Sequence, residues 1–314
     1  MKSIYQLIPD IQHLVEKKDG WFTPELSKLF SEDVSRRLQR HFNEDKTTPT
    51  LRLSQMGPKC PCALWHSIYS PGEAEALPPW VEIKFAFGHI LEALVVTLSK
   101  ATGHEVTGEQ DEVTVDGVKG HRDCVIDGCV VDIKSASSMS FKRFKDGSIK
   151  DNDSFGYLEQ LDAYLVGSLD DPLVRVKDRA FDLVVDKQLG HMVLYEHKLR
   201  DDISAKVAAA KVIVASPRPP TCTCGEVPDG KSGNFKLDVR ASYSPQKYLC
   251  KPNLRTFIYS DGPRYLTKVV RLPDVPEIRK PRKETKDVFR WNRQSLSYDS
   301  NINSAKDLYS TSST

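Results

Sequence analysis

The segment His121-Arg122-Asp123-Cys124-Val125-Ile126-Asp127-Gly128-Cys129-Val130-Val131-Asp132-Ile133-Lys134 carries two carboxylates and an amine at spacings that can do chemistry. Asp-Gly between β-rich runs predicts a two-residue hairpin turn. Ile126 then pairs with Cys129, Val125 with Val130, Cys124 with Val131 and Asp123 with Asp132. Lys134, two residues beyond Asp132, shares the face of the two acids. The opposite face reads Cys124, Ile126, Cys129, Val131 and Ile133, which suits a core. Like charges directly opposed destabilise a hairpin, and a divalent cation is the usual reason to keep them. Two hard oxygen ligands hold Mg²⁺ or Mn²⁺, which polarises a phosphodiester and acidifies a bound water. A neighbouring lysine can orient that water or offset charge that develops in the transition state. The alternative open at this point is a surface hairpin in which Lys134 balances two solvated aspartates.

Other residues extend the set. Glu92, in Gly88-His89-Ile90-Leu91-Glu92, lies on a helix face distinct from Leu91, Leu94, Val95 and Leu98 and can supply a third carboxylate, or stand as an exposed helix charge. His89 suits a neighbouring structural or substrate-contacting role rather than ligation. Gln160 and Tyr164 are spaced i,i+4, so an amide and a phenol share one helix face, either to hold a phosphate or base or to pack on a sheet. Arg52 with Ser54, the Lys142-Arg143-Lys145 run and Arg36-Arg37-Arg40 are candidate phosphate contacts, although each alone reads as solvated charge.

These residues need elements to position them. Thr23-Pro24-Glu25 starts a helix in a polar stretch that runs to about residue 50. Pro71–Pro79 is a loop, and apolar periodicity from Glu82 to Lys100 predicts a helix that Gly103 ends. Strand material spans Glu105–Val115. Residues 138–155 read as a polar, basic loop, and Tyr157–Val166 as a helix. Phe181–Val185 and Met192–Tyr195 form a second hairpin around Leu189-Gly190. Residues 203–215 form a helix that Pro217, Pro219 and Pro220 stop. The order α, β, β, α, β, β, α suits an α/β fold with a mixed central sheet flanked by helices.

The 314 residues allow one large domain or two smaller ones, and the composition, 39% apolar and 28% charged, is that of a soluble protein. A net charge of +2 with dispersed basic residues specifies no partner. No apolar run is long enough for a membrane span, and the first residues do not read as a secretory signal. The expected location is cytoplasmic. There, seven cysteines point to metal or cluster ligation or to core packing, rather than to disulfides. Cys124 and Cys129, on the apolar face of the hairpin, are core.

Glu92, Gly120-His121-Arg122-Asp123, Asp132-Ile133-Lys134 and Gln160-Leu161-Asp162-Ala163-Tyr164 follow one another in an order and spacing that resembles the PD-(D/E)XK nucleases. The match is to the RecB-like branch, which includes lambda-type exonucleases, and spans about residues 54–250. D-x-K alone is a weak signature; four in order are more specific. Many relatives carry Glu where this chain has Asp132.

The resemblance implies a restriction-endonuclease-like core over residues 51–275, with residues 1–50 as a helical N-terminal segment and 276–314 as a basic, Ser-rich, disordered tail. It implies a metal-dependent DNA exonuclease of phage type, in host-cell cytoplasm, serving recombination, replication or breakdown of host DNA. By it, Glu92, Asp123, Asp132 and the Ile133 carbonyl are metal ligands, Lys134 is catalytic, and Gln160 and Tyr164 position the substrate. The partners would be linear or single-stranded DNA ends and a recombination or single-strand-binding protein, with no membrane. Alternative readings are a structure-specific or restriction-type endonuclease, or a DNA-binding recombination accessory module without catalysis.

Several such nucleases also join one upstream cysteine to three downstream ones around a [4Fe–4S] cluster. Lys59-Cys60-Pro61-Cys62 resembles the upstream site, with Cys62 where an arginine is common. Downstream the compact cysteine motif is missing: Ala241 and Ser244 occupy its ground and only Cys250 remains. A four-thiolate set from Cys60 or Cys62 with Cys222, Cys224 and Cys250 would suit a cluster or Zn²⁺, and a degenerate site without metal is the third possibility.

Overall fold

The turn at Asp127-Gly128 sets the register of the centre. Both residues have positive φ, 52° and 81°, as a type I′ turn requires. Gly128 is required for space as well, since a Cβ there would lie 2.6 Å from Arg175 Nε. The strands on either side pair as Cys124↔Val131, Val125↔Val130 and Ile126↔Cys129, the register that the sequence predicts. This computed structural model describes residues 2–43, 49–200 and 202–279.

In chain order the elements are α1 (Leu7–Lys17), α2 (Pro24–Asn43), α3 (Pro61–Tyr69) and α4 (Pro79–Ala101), then β1 (Val106–Thr107), β2 (Glu112–Val115), β3 (Val118–His121), β4 (Cys124–Ile126) and β5 (Cys129–Ala136). Next come α5 (Ser138–Lys145), α6 (Tyr157–Val166), β6 (Arg179–Asp186), β7 (Met192–Lys198) and α7 (Ile203–Ala215). The C-terminal part holds β8 (Glu226–Pro228), β9 (Phe235–Leu237), α8 (Val239–Ser242), α9 (Lys247–Cys250), β10 (Arg255–Tyr259), β11 (Gly262–Lys268) and β12 (Glu277–Arg279).

The central sheet has the order β1-β4-β5-β6-β7. Only β5 and β6 run parallel, joined by the crossover through α5 and α6; the other pairs are antiparallel. The fold is thus α/β with a mixed sheet, and helices cover both faces. On one face Cys124, Ile126, Cys129, Val131 and Ile133 pack with Leu7 and Ile11 of α1 and Val95 and Leu98 of α4. On the other, Val125 and Val130 pack with Leu161 and Leu165 of α6, Ile203 and Val207 of α7, and Val113 and Leu53. The hairpin therefore has an apolar layer under each face, and its acids lie at the edge of one layer rather than on an open surface. A second, antiparallel sheet, β12-β10-β11-β9-β8, closes the C-terminal part, and β2–β3 forms a separate hairpin.

Two expectations change. Residues 138–145 are a helix rather than a loop: Ser137 caps it by accepting from the Ser140 amide at 3.4 Å, and Phe141 and Phe144 bury one face against Ala136 and Val184. The Lys-Arg-rich composition conceals that i,i+3 aromatic pair. The C-terminal sheet was not foreseen, and β12 extends the folded chain into the stretch assigned to the tail, pairing with β10. The remainder of that expected tail, 280–314, lies outside the described residues. The expected N-terminal helices are present, and α1 packs into the core, since its Leu7 and Ile11 are 0% and 1% exposed.

Ile11→Ala should cost about 2–5 kcal/mol of unfolding free energy, the usual range for emptying a buried aliphatic site. Urea denaturation measures it; a cost below about 1 kcal/mol, the scale of surface changes, would make α1 peripheral.

Candidate active site

Strand β5 delivers Asp132 and Lys134 to one face, two residues apart, and Asp132 is buried at 1% exposure. Lys134 Nζ forms an ion pair with Asp132 and donates to Gln160 Oε1 at 3.0 Å. Gln160 Nε2 in turn donates to Tyr164 Oη at 2.8 Å and approaches Asp132 Oδ1 at 3.4 Å. The i,i+4 pair on α6 thus faces the hairpin acids and holds the amine in place. Helix α6 is itself anchored by Asp162, which accepts from His197 Nε2 and Arg200 Nε, both at 2.7 Å. Gly120 admits this packing: a Cβ there would lie 2.8 Å from Leu53 Cβ and 3.0 Å from Tyr164 Cε1.

Asp123 does not simply face Asp132 across the ladder. Its Oδ2 accepts from the Ile133 amide at 2.8 Å, which locks it beside β5. Gln110 Nε2 donates to Glu92 Oε1 at 2.8 Å and to Asp123 Oδ1 at 3.3 Å, so one amide spans both carboxylates. Glu92, 8% exposed, also pairs with Arg37 at 2.5 Å. Arg37 is therefore a buried counterion and not a phosphate-facing wall; Asp33 holds its Nε at 2.9 Å. His89 lies against His41, ring centroids 5.2 Å apart.

One acid was missed. Asp182 on β6 is fully buried and in parallel register with Asp132. Neither of its oxygens has a hydrogen-bond partner among the described residues. Its only sequence signal is an acid within the apolar run Phe181–Val185; the pairing with Asp132 comes from a crossover that no local pattern reveals. Gln110 gave no local signal, and the basic run around Arg37 pointed to phosphate rather than to Glu92.

The electrostatics follow from this crowding. Desolvation and then the Asp132 charge push the Asp182 carboxyl well above its usual range. Desolvation, Asp132 and Glu92 do the same to Asp123. Desolvation raises Glu92, against the pull of Arg37. Lys134 moves the other way: desolvation opposes its charge, but Asp132, Asp182 and Asp123 outweigh it and hold the ammonium above its ordinary value. Burial and the Asp132 charge keep Tyr164 a protonated phenol. Four carboxylates (Glu92, Asp123, Asp132, Asp182) thus share two paired cations, Arg37 and Lys134. That surplus of hard oxygen donors fits a divalent cation such as Mg²⁺ or Mn²⁺.

The basic residues stand apart. Arg52 and Ser54 are exposed and flank the buried Leu53, Arg143 is half-buried on α5, and among the described residues no hydrogen bond or ion pair joins them to these acids.

The cysteines meet elsewhere. The sulfurs of Cys60, Cys222, Cys224 and Cys250 all lie within 4.8 Å of one another, between the start of α3, the strap before β8 and the end of α9. Cys62 is buried beside this group but outside it. Hydrogen bonds from Cys224 and Cys250 hold the Cys60 thiol far below its ordinary value, while bonds to Cys224, Cys60 and Cys62 push Cys250 far up. Four sulfurs this close are a set that a thiophilic metal can take over by displacing their protons. Cys124 and Cys129 are core residues, as expected; burial pushes the Cys129 thiol up to about 11.

No known family model matches this chain, and no curated protein does. Among solved structures, one described as "Crystal structure of SSO0001" aligns with a TM-score of 0.38 and 16% identity, over 73% of this chain and 97% of that one.

The surplus charge has a measurable consequence. Below the ordinary carboxylate range Asp182 is protonated folded or unfolded; above it the unfolded residue ionises first, which favours unfolding. Asp182→Asn should therefore melt above the unsubstituted protein at pH 8 without divalent cations, and the gap should close as pH falls toward 4. Parallel melting curves across that range would refute the assignment.

Proposed function

We propose that this chain is a metal-dependent deoxyribonuclease that hydrolyses phosphodiester bonds at DNA ends, as an exonuclease of recombination, replication or host-DNA breakdown. The observation that carries the reading is the surplus of carboxylates around one paired lysine at the edge of the hairpin. Glu92, Asp123 and Asp132, with the Ile133 carbonyl, would hold Mg²⁺ or Mn²⁺. A cation bound there supplies the charge that acidifies a water and polarises the phosphodiester.

The chain's own residues do the rest. Lys134 keeps its proton and presents positive charge where negative charge develops on the phosphate oxygens. Gln160 fixes the amine by accepting from it, and Tyr164 fixes Gln160. Arg37 and Gln110 keep Glu92 and Asp123 in place and limit their mutual repulsion. Arg52, Ser54 and Arg143 are offered as more distant phosphate contacts. The cysteine set is proposed to hold a [4Fe–4S] cluster or Zn²⁺, a clip that joins α3 to the C-terminal sheet.

Asp132→Ala and Lys134→Ala should each reduce Mg²⁺-dependent release of nucleotides from end-labelled linear DNA by about a hundredfold or more, with the circular dichroism unchanged. Full activity in either variant sinks the proposal, and cutting of closed circular DNA would shift it to an endonuclease. For the cysteines, anaerobic purification followed by iron and zinc analysis should find metal that Cys250→Ser loses together with thermal stability; metal-free protein of unchanged stability would remove the clip.

A further inference from the structure

A cavity of about 570 Å³ opens between the start of α3, the turn at residues 154–156 and α8, a size ordinary for small-ligand sites. Two aromatic rings flank it. Phe155 and Tyr243 are 42% and 71% exposed and meet edge to face with centroids 5.6 Å apart. Gln55, Ser67 and Gln246 line the same space; Gln55 donates to Ser67 at 3.4 Å and Gln246 accepts from Ser244 at 3.3 Å, so the polar lining is held in place by its neighbours. Lys59 and Arg240 bring two positive charges to the lining against the one negative charge of Asp238, which also caps α8 by accepting from the Ala241 amide at 2.7 Å.

The cavity is tied to the candidate active site. Phe155 contacts Tyr157 at 5.8 Å, and the Lys134 ammonium sits over the Tyr157 ring at 5.1 Å. Gly57 and Gly156 close the seam so tightly that a Cβ on Gly57 would lie 2.6 Å from the Gly156 Cα. The cavity wall and the first turn of α6 are thereby held as one piece. Exposed aromatic faces beside basic charge, one ring contact away from a phosphate-handling lysine, match the demands of an unpaired nucleotide: stacking for the base and cations for its backbone.

We propose that this cavity is a base-stacking subsite for single-stranded DNA, where an unpaired nucleobase packs against Phe155 and Tyr243 while a neighbouring phosphate reaches Lys134. This rests on the nuclease reading of the carboxylate site and names its substrate as an unpaired strand. A base in a duplex is stacked and paired and cannot present its face to the rings.

Binding separates the two claims, because it needs no cleavage. The probe is a fluorescent oligothymidylate of about a dozen nucleotides, titrated against the full chain without Mg²⁺ or Mn²⁺. Phe155→Ala and Tyr243→Ala should each weaken binding about tenfold. Phe155→Trp should preserve it, and a strand of abasic sugars should bind all four proteins alike. A blunt duplex should be indifferent to the substitutions. Equal oligothymidylate affinity in the unsubstituted protein and both alanine variants overturns the subsite, even if the protein degrades DNA. If the variants lose binding while the unsubstituted protein with Mg²⁺ releases no nucleotide, the subsite stands and the cleavage reading alone falls.

Discussion

The rest of the structure depends on two aspartates on adjacent parallel strands, Asp132 and Asp182, that lie side by side in register inside the protein, one lysine paired with Asp132 and no hydrogen-bond partner for Asp182 among the described residues. Paired positions on neighbouring strands bring side chains within roughly 5 Å, a separation at which like charges out of water repel strongly. Lys134 answers part of that repulsion and is held charged by it. Asp123 and Glu92 add to the negative side, so the site carries more carboxylate than the protein's own cations balance. A fold selected for stability alone would have no use for such an arrangement.

Each surrounding element can be read as a response to that charge. Helix α2 brings Arg37 inward to Glu92, and the segment before β2 brings Gln110 to bridge Glu92 and Asp123. Helix α6, pinned by Asp162 to His197 and Arg200, turns Gln160 onto Lys134 and backs it with Tyr164. The two apolar layers of the central sheet hold this geometry rigid and keep the dielectric low, which gives each remaining polar contact more weight. The cysteine group lies outside this network, where the C-terminal part meets the start of α3.

What the sequence disclosed was local. Asp127-Gly128 set the hairpin register and with it the apolar face, apolar periodicity located α4, and the segments of α6 and α7 also read as helices. The expectation for 138–145 failed because charged residues outnumber the two phenylalanines that make α5 a helix. The C-terminal sheet escaped notice because strands as short as β8, β9 and β12, three residues each, show no usable period. Asp182, Gln110 and Arg37 show a different limit: each reaches the site through tertiary pairing, so an acid in an apolar run did not reveal Asp132 as its neighbour, and a basic run read as a phosphate contact turned inward to Glu92. The cysteines fall between these cases. Their types suggested a four-thiolate set, but only the fold selects Cys60 over Cys62 as its upstream member.

The central claim is that the unbalanced carboxylates form a divalent-cation site. Calorimetric titration of Mn²⁺, which prefers oxygen to thiolate donors, into the unsubstituted protein and into Asp132→Asn tests it most directly. The account predicts saturable binding of Mn²⁺ that the Asp132→Asn substitution abolishes while the fold persists. Identical isotherms for the two proteins, or no binding by either, would contradict it.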